Sequence, residues 1–187
     1  MKKLVVIGGS AGSFNIVNSL LSALPSDFPP GLVICIHRLR NVRSGFADTL
    51  SVNCKLKVKE AYDKEKIEAS TVYIAPSNYH LMVEEDNSFC LSVEKPVNHS
   101  RPSIDITMET AGMVYRENSI GILLSGANAD GSNGMKVIHE NKGLTIVQDP
   151  SDCEIKVMPE FCLNLFNPDY ILNSNDIIQY LSGWGQS

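Results

Sequence analysis

The stretch that most limits what this chain can become is Leu4-Val5-Val6-Ile7-Gly8-Gly9-Ser10-Ala11-Gly12, an apolar run that ends in a turn of small residues. Phe14, Ile16, Val17, Leu20, Leu21 and Leu24 then recur at helical spacing as far as Pro25. The pattern predicts a strand, a sharp turn and a helix over 11–24. The turn reads G-x-S-x-G, whose small residues let the backbone bend and leave a serine hydroxyl at the carboxyl end of a strand. Ser10 is therefore the candidate nucleophile. Other readings compete for the same turn. A dinucleotide fingerprint counted from Gly8 needs glycines where Ser10 and Ser13 stand, and no Gly-Lys-Ser/Thr follows to make a phosphate loop. The plain structural alternative is that Ser10 only caps the following helix.

The rest of the chain repeats the strand-then-helix alternation. Leu32–Ile36, Thr71–Ala75, Ile120–Leu124 and Leu144–Gln148 are continuous apolar or β-branched runs of the kind buried on both faces of a sheet. Leu56–Ala61 and Tyr170–Leu172 predict shorter strands. His80–Glu84 and Phe89–Val93 flank Glu85-Asp86-Asn87-Ser88 and predict a β-hairpin. Helices are expected around Phe46–Leu50, from Ile104 to Tyr115 with Ser103 as cap, from Ser132 to Asn141, from Pro159 to Phe166, and from Asp176 to Ser182. Together these predict one α/β domain over residues 1–187, a three-layer αβα arrangement with a mostly parallel sheet plus a hairpin.

Composition narrows the function. A net charge of −5 lacks the basic excess of a general nucleic-acid or anionic-membrane binder. Lys2 and Lys3 precede an apolar run too short for a signal peptide, and no stretch reaches the length of a membrane span, so neither secretion nor membrane insertion is expected. The five cysteines are odd in number and show no C-x-x-C spacing, which reads as isolated thiols in the cytoplasm rather than a disulfide framework or zinc site.

In parallel sheets, ligands gather at the carboxyl ends of the strands. Ser10 follows the first strand, His37 the second, and Asp130 lies in the loop after Ile120–Leu124. A serine nucleophile needs a base, and an imidazole base needs a carboxylate that fixes its tautomer. These three residues can supply that set. Among the other histidines, His139 reads as a helix-end surface residue, and His80 and His99 as rim or structural positions. Backbone N–H groups at the start of the helix after Ser10, Ala11 first, are candidate oxyanion donors. The order Ser10, His37, Asp130 differs from the Ser, Asp/Glu, His order of α/β-hydrolases.

These landmarks resemble a known family, the catalytic domain of the CheB-type protein-glutamate methylesterases of bacterial chemotaxis. The likeness runs from about Leu4 to Leu181 and is carried by Ile7–Gly12, Ile36-His37, Tyr73–Pro76 with His80, Arg101-Pro102-Ser103-Ile104-Asp105, and Ser125-Gly126 leading to Asp130-Gly131 and Gly134-Met135. The resemblance implies Ser10 as nucleophile, His37 as base, Asp130 as the acidic member, a second oxyanion donor near Ala127, and no metal or cofactor. It implies hydrolysis of γ-glutamyl methyl esters on chemoreceptors, with deamidation of receptor glutamines as a related activity. It also implies a phosphorylatable receiver domain, which is not seen ahead of the first strand in this sequence, and a separate regulatory partner is one alternative for control. Ala11, Ala127 and Asn128 depart from the residues usual in that family. Their departure motivates the alternative of a non-catalytic binding or scaffold module that keeps the fold. Arg38, Arg40 and Arg43 after the histidine are candidates for steering an acidic protein surface, with Arg38 nearest the site.

Overall fold

The computed structural model describes residues 3–37 and 45–184. Strand β1 (Leu4–Gly9) leads through a short 3-10 turn at Ala11–Ser13 into helix α1 (Phe14–Ala23), and then come β2 (Gly31–Ile36), α2 (Phe46–Ser51), β3 (Lys57–Glu60) and β4 (Thr71–Ile74). The hairpin β5 (His80–Val83) and β6 (Phe89–Ser92) precedes α3 (Ile104–Tyr115), β7 (Ser119–Leu123), α4 (Ser132–Glu140) and β8 (Leu144–Gln148). Helix α5 (Val157–Leu165), β9 (Tyr170–Leu172) and α6 (Ser174–Ser182) complete the chain. Each predicted element is present. The fifth helix begins two residues before the expected Pro159, which lies within its first turn, where proline's missing N–H costs no helical bond.

Seven strands form one sheet in the order β3-β4-β2-β1-β7-β8-β9, and β5 and β6 pair separately. Every pairing in the large sheet is parallel, while the hairpin is antiparallel. The apolar run of β1 is continuous because both of its faces are covered. Val5 and Ile7 point into a cluster with Ile16, Val17, Leu20 and Leu21 of α1 and with Ile177 and Leu181 of α6. Leu4 and Val6 point the other way, toward Ile104, Met108 and Ala111 of α3, Met135 and Ile138 of α4, and the hairpin residues Leu81 and Phe89. Period-two alternation thus feeds two cores from one strand. Full burial of each such Val, Leu or Ile side chain contributes about 1.5–3 kcal/mol. No helix among the described residues is long and apolar enough to cross a membrane.

The chain leaves β1 toward β2 on one side and returns to β7 on the other, so the strand order reverses between β1 and β7. Loops that follow neighbouring strands on opposite sides of such a reversal open a crevice at the carboxyl edge. The Ser10 turn and the Ser125–Asp130 loop border that crevice.

Candidate active site

Three backbone contacts line up the residues at this edge. Gly9 pairs with Ile36 and Gly8 with Leu123. One residue further on, His37 N–H donates to Gly9 O at 3.2 Å, Leu124 N–H donates to Gly8 O at 2.9 Å, and Ser10 N–H donates to Ser125 O at 3.0 Å. The sheet register therefore sets Ser10 between His37 and Ser125 without help from any side chain. A Cβ on Gly8 would lie 2.3 Å from Ile104 Cγ2, so glycine is what lets the start of α3 close on the end of β1.

Ser10 is half-buried, and its hydroxyl is not the cap of α1. Ser13 takes the local role instead: its N–H and hydroxyl both donate to Ser10 O, at 2.9 and 2.6 Å. The simple capping explanation for the Ser10 side chain thus falls away. Ala11 opens the 3-10 turn immediately after it. Ser125, on the opposite side of the crevice, is held by Gln148 of β8, whose Oε1 accepts from Ser125 N–H at 2.9 Å.

His37 Nε2 lies 2.7 Å from Asp130 Oδ2. A carboxylate partner makes that nitrogen the protonated one and leaves Nδ1 with the lone pair a base needs. Asp130 itself is fully buried. Burial alone would raise its carboxyl. The His37 ring, the backbone N–H groups of Ile104 and Asp105 and the Ser103 hydroxyl overcome that cost and hold it below the ordinary value. Ile104 N–H and Asp105 N–H donate at 2.8 and 3.1 Å, so Asp130 occupies the positive end of α3. The Ser103 hydroxyl donates to Oδ1 at 2.8 Å. Among the described residues no hydrogen bond joins the Ser10 hydroxyl to the His37 ring; such bonds commonly tighten only when substrate is bound.

The remaining sequence candidates divide clearly. Ala127 is exposed on the rim of the crevice, next to Gly126, whose N–H donates to Ile155 O at 3.0 Å. Arg38, with Arg40 and Arg43, lies outside the described residues. His80 is buried and structural: its Nδ1 accepts from Ser103 N–H at 3.2 Å and its Nε2 donates to Lys95 O at 3.1 Å. His139 sits in the last turn of α4, half-exposed beside Phe166. Asn128 is well used, since its Oδ1 accepts from Asp130 N–H at 3.2 Å and its Nδ2 reaches Asn98 O at 3.4 Å. Sequence reading placed Ser103 as a helix cap, which it is, and missed its second bond to Asp130. The contributions of Asn98, Asp105 and Gln148 were missed as well. An acid two residues past a capping serine is a common helix-start pattern, and nothing in it points to a loop distant in sequence.

Comparisons with known proteins show the family and the fold. The model of the family described as CheB methylesterase matches residues 5–181. The chain belongs to the CheB methylesterase family. A relative from Leptospira interrogans (serovar copenhageni), named putative protein-glutamate methylesterase/protein-glutamine glutaminase, is 43% identical over 175 residues, covering 94% of this chain and 91% of that protein. The Thermotoga maritima protein-glutamate methylesterase/protein-glutamine glutaminase is 31% identical over 182 residues, and there the chain spans 53% of the relative's length. The crystal structure of the Thermotoga maritima CheB methylesterase catalytic domain superposes with a TM-score of 0.92 at 30% identity, covering 97% of this chain and 98% of that one. The CheB fold is thus present across the whole site.

Proposed function

We propose that this CheB-family chain is a serine carboxylic-ester hydrolase acting on γ-glutamyl methyl esters of proteins, with methylated chemoreceptors as its substrate class. Deamidation of glutamine follows the same chemistry with ammonia as leaving group. The observation that carries the reading is the His37 Nε2 to Asp130 Oδ2 contact of 2.7 Å, on a strand whose register sets His37 beside Ser10. Ser10 Oγ attacks the ester carbonyl and His37 Nδ1 takes its proton. The carbonyl oxygen becomes an oxyanion, stabilised by backbone N–H groups at Ala11 and near Ala127. Collapse expels methoxide, which leaves as methanol with the proton from His37. Water, activated by the same Nδ1, then hydrolyses the acyl-enzyme and restores Ser10. Asp130, ionised throughout, stabilises the imidazolium formed in each half-reaction.

The open Ser10–His37 link and the departures at Ala11 and Ala127 favour the second reading, a binding module without efficient chemistry. Methanol release from a methyl-esterified chemoreceptor fragment, compared with folded Ser10→Ala, decides between them. Release that is lost in the variant supports the hydrolase. Absence of both release and fluorophosphonate labelling of Ser10 in the unaltered protein sinks it.

A further inference from the structure

We infer that Asp105 and Asn98 are positioning residues for Asp130, forming a polar latch that locks α3 and α4 in the orientation His37 needs. The inference rests on the serine-hydrolase reading above. Asp130 precedes α4 and accepts from the first N–H groups of α3. Asp105 lies in the first turn of α3 and accepts from the Gly134 N–H of α4 at 2.9 Å. Each helix therefore carries the carboxylate that caps the other. Asn98 joins the two: its Nδ2 donates to Asp105 Oδ2 at 3.0 Å and to Asp130 Oδ1 at 3.3 Å. Asn133 adds a longer bond to Asp105 Oδ2 at 3.4 Å.

Two buried carboxylates this close would repel unless donors separated them. Burial, with the charge of Asp130 adding to it, pushes the Asp105 carboxyl above its ordinary value, against the Gly134 N–H that favours the anion. The helices can meet this closely because Gly134 has no Cβ, which would lie 2.5 Å from Met108 Cβ. Asp130 Oδ2 accepts from His37 and Ile104 N–H, while Oδ1 takes Ser103, Asp105 N–H and Asn98. Rotation of the carboxylate would break several of these bonds at once, so the latch holds Oδ2 on the imidazole.

Glu109, one turn along α3, is raised by burial and by Asp105 and Asp130. His80 of β5 is bonded through both ring nitrogens, and the guanidinium of Arg101 donates to Val93 O and Glu94 O. Lys136 of α4 lies beside Glu140.

The test is the rate of Ser10 phosphonylation by a fluorophosphonate as a function of pH, which needs no knowledge of the natural ester. Asp105→Asn keeps an acceptor for Gly134 but removes a charge that favours the imidazolium, so the midpoint of the rate profile moves down by about one pH unit. Asn98→Ala removes the donor that screens the two carboxylates, so the midpoint moves up by about half a unit. Asn98 is exposed, so its variant keeps the test alive if the Asp105 variant does not fold. Opposite shifts support the latch. Unmoved midpoints in folded variants overturn it, even if amplitudes fall. A wild-type protein that is not labelled at all overturns the hydrolase reading and the latch with it, whereas normal wild-type labelling with unmoved variants overturns the latch alone.

Discussion

His37 presents Nε2, not Nδ1, to Asp130, at 2.7 Å. The usual serine-hydrolase template has the opposite ring orientation, with the carboxylate on Nδ1. His37 N–H is tied to Gly9 O, one residue before the candidate nucleophile, and Nε2 is the ring nitrogen that meets the buried carboxylate, which leaves Nδ1 as the candidate base. Asp130→Asn replaces an acceptor-only group with one that can donate an N–H, which favours the tautomer with its proton on Nδ1, where the base is needed. The expected loss in Ser10 labelling rate is about 10³- to 10⁴-fold with the fold intact by circular dichroism. A rate within tenfold of wild type would show that Asp130 does not set the tautomer.

Ser103→Ala removes the hydroxyl that donates to Asp130 Oδ1 at 2.8 Å and accepts from Ile106 N–H at 3.4 Å. One oxygen serves as helix cap and carboxylate donor at a fully buried position. The expected cost is about 1–2 kcal/mol in urea unfolding. Labelling of Ser10 should slow as well, because Asp130 loses one of the donors that fix it. An unchanged unfolding midpoint would mean that neither bond contributes.

The fold was legible because its signals are local. Apolar runs such as Leu32–Ile36 show burial on both sheet faces, and Phe14–Leu24 shows one helical stripe. That Ser10, His37 and Asp130 lie at one edge of the sheet was legible through one further rule, that residues after parallel strands share an edge. The latch was not legible. Asp105 and Asp130 are far apart in sequence, and their proximity follows from the crossing of α3 and α4, which depends on close packing at Gly134 and on the β7 crossover. The ring orientation of His37 was equally hidden, since residue type alone does not set which ring nitrogen meets the carboxylate.

Acid sensitivity gives a third prediction. The Asp130 carboxyl is held below its ordinary value in the folded protein, by bonds that outweigh the opposing effect of burial. Its contribution to stability is therefore fully present above the ordinary carboxyl value of about 3.9 and is lost as pH falls through the lower folded value. Asp105 and Glu109, raised first by burial, act in the opposite sense: each favours the folded state when protonated and loses that contribution as pH rises through its folded value. The stability difference between wild type and Asp130→Asn should thus be level from pH 7 to about 5 and narrow below about 4. Thermal unfolding of both proteins across that range checks it, and a difference that widens on acidification would contradict the assignment.

Gly131 and Gly45 allow backbone strain to be separated from collision. Both adopt left-handed conformations, with φ of +94° and +88°. At Gly45 an added Cβ meets none of the described residues within 4 Å. At Gly131 it would lie 2.6 Å from Leu123 Cδ1 and 2.8 Å from Ile104 Cγ2, inside the contact between β7 and the start of α3. Gly45→Ala should therefore cost only the strain of a non-glycine residue at positive φ, about 1 kcal/mol. Gly131→Ala adds overpacking of a core with little room to relax, for a total of about 2–4 kcal/mol. The excess should also appear at the site, because Ile104 N–H is one of the donors to Asp130 and any displacement of α3 moves the carboxylate. Denaturant unfolding and Ser10 labelling of the two variants side by side test both parts. Equal destabilisation would mean that Leu123 and Ile104 shift aside at no cost, and that the glycine after Asp130 is required only for its φ.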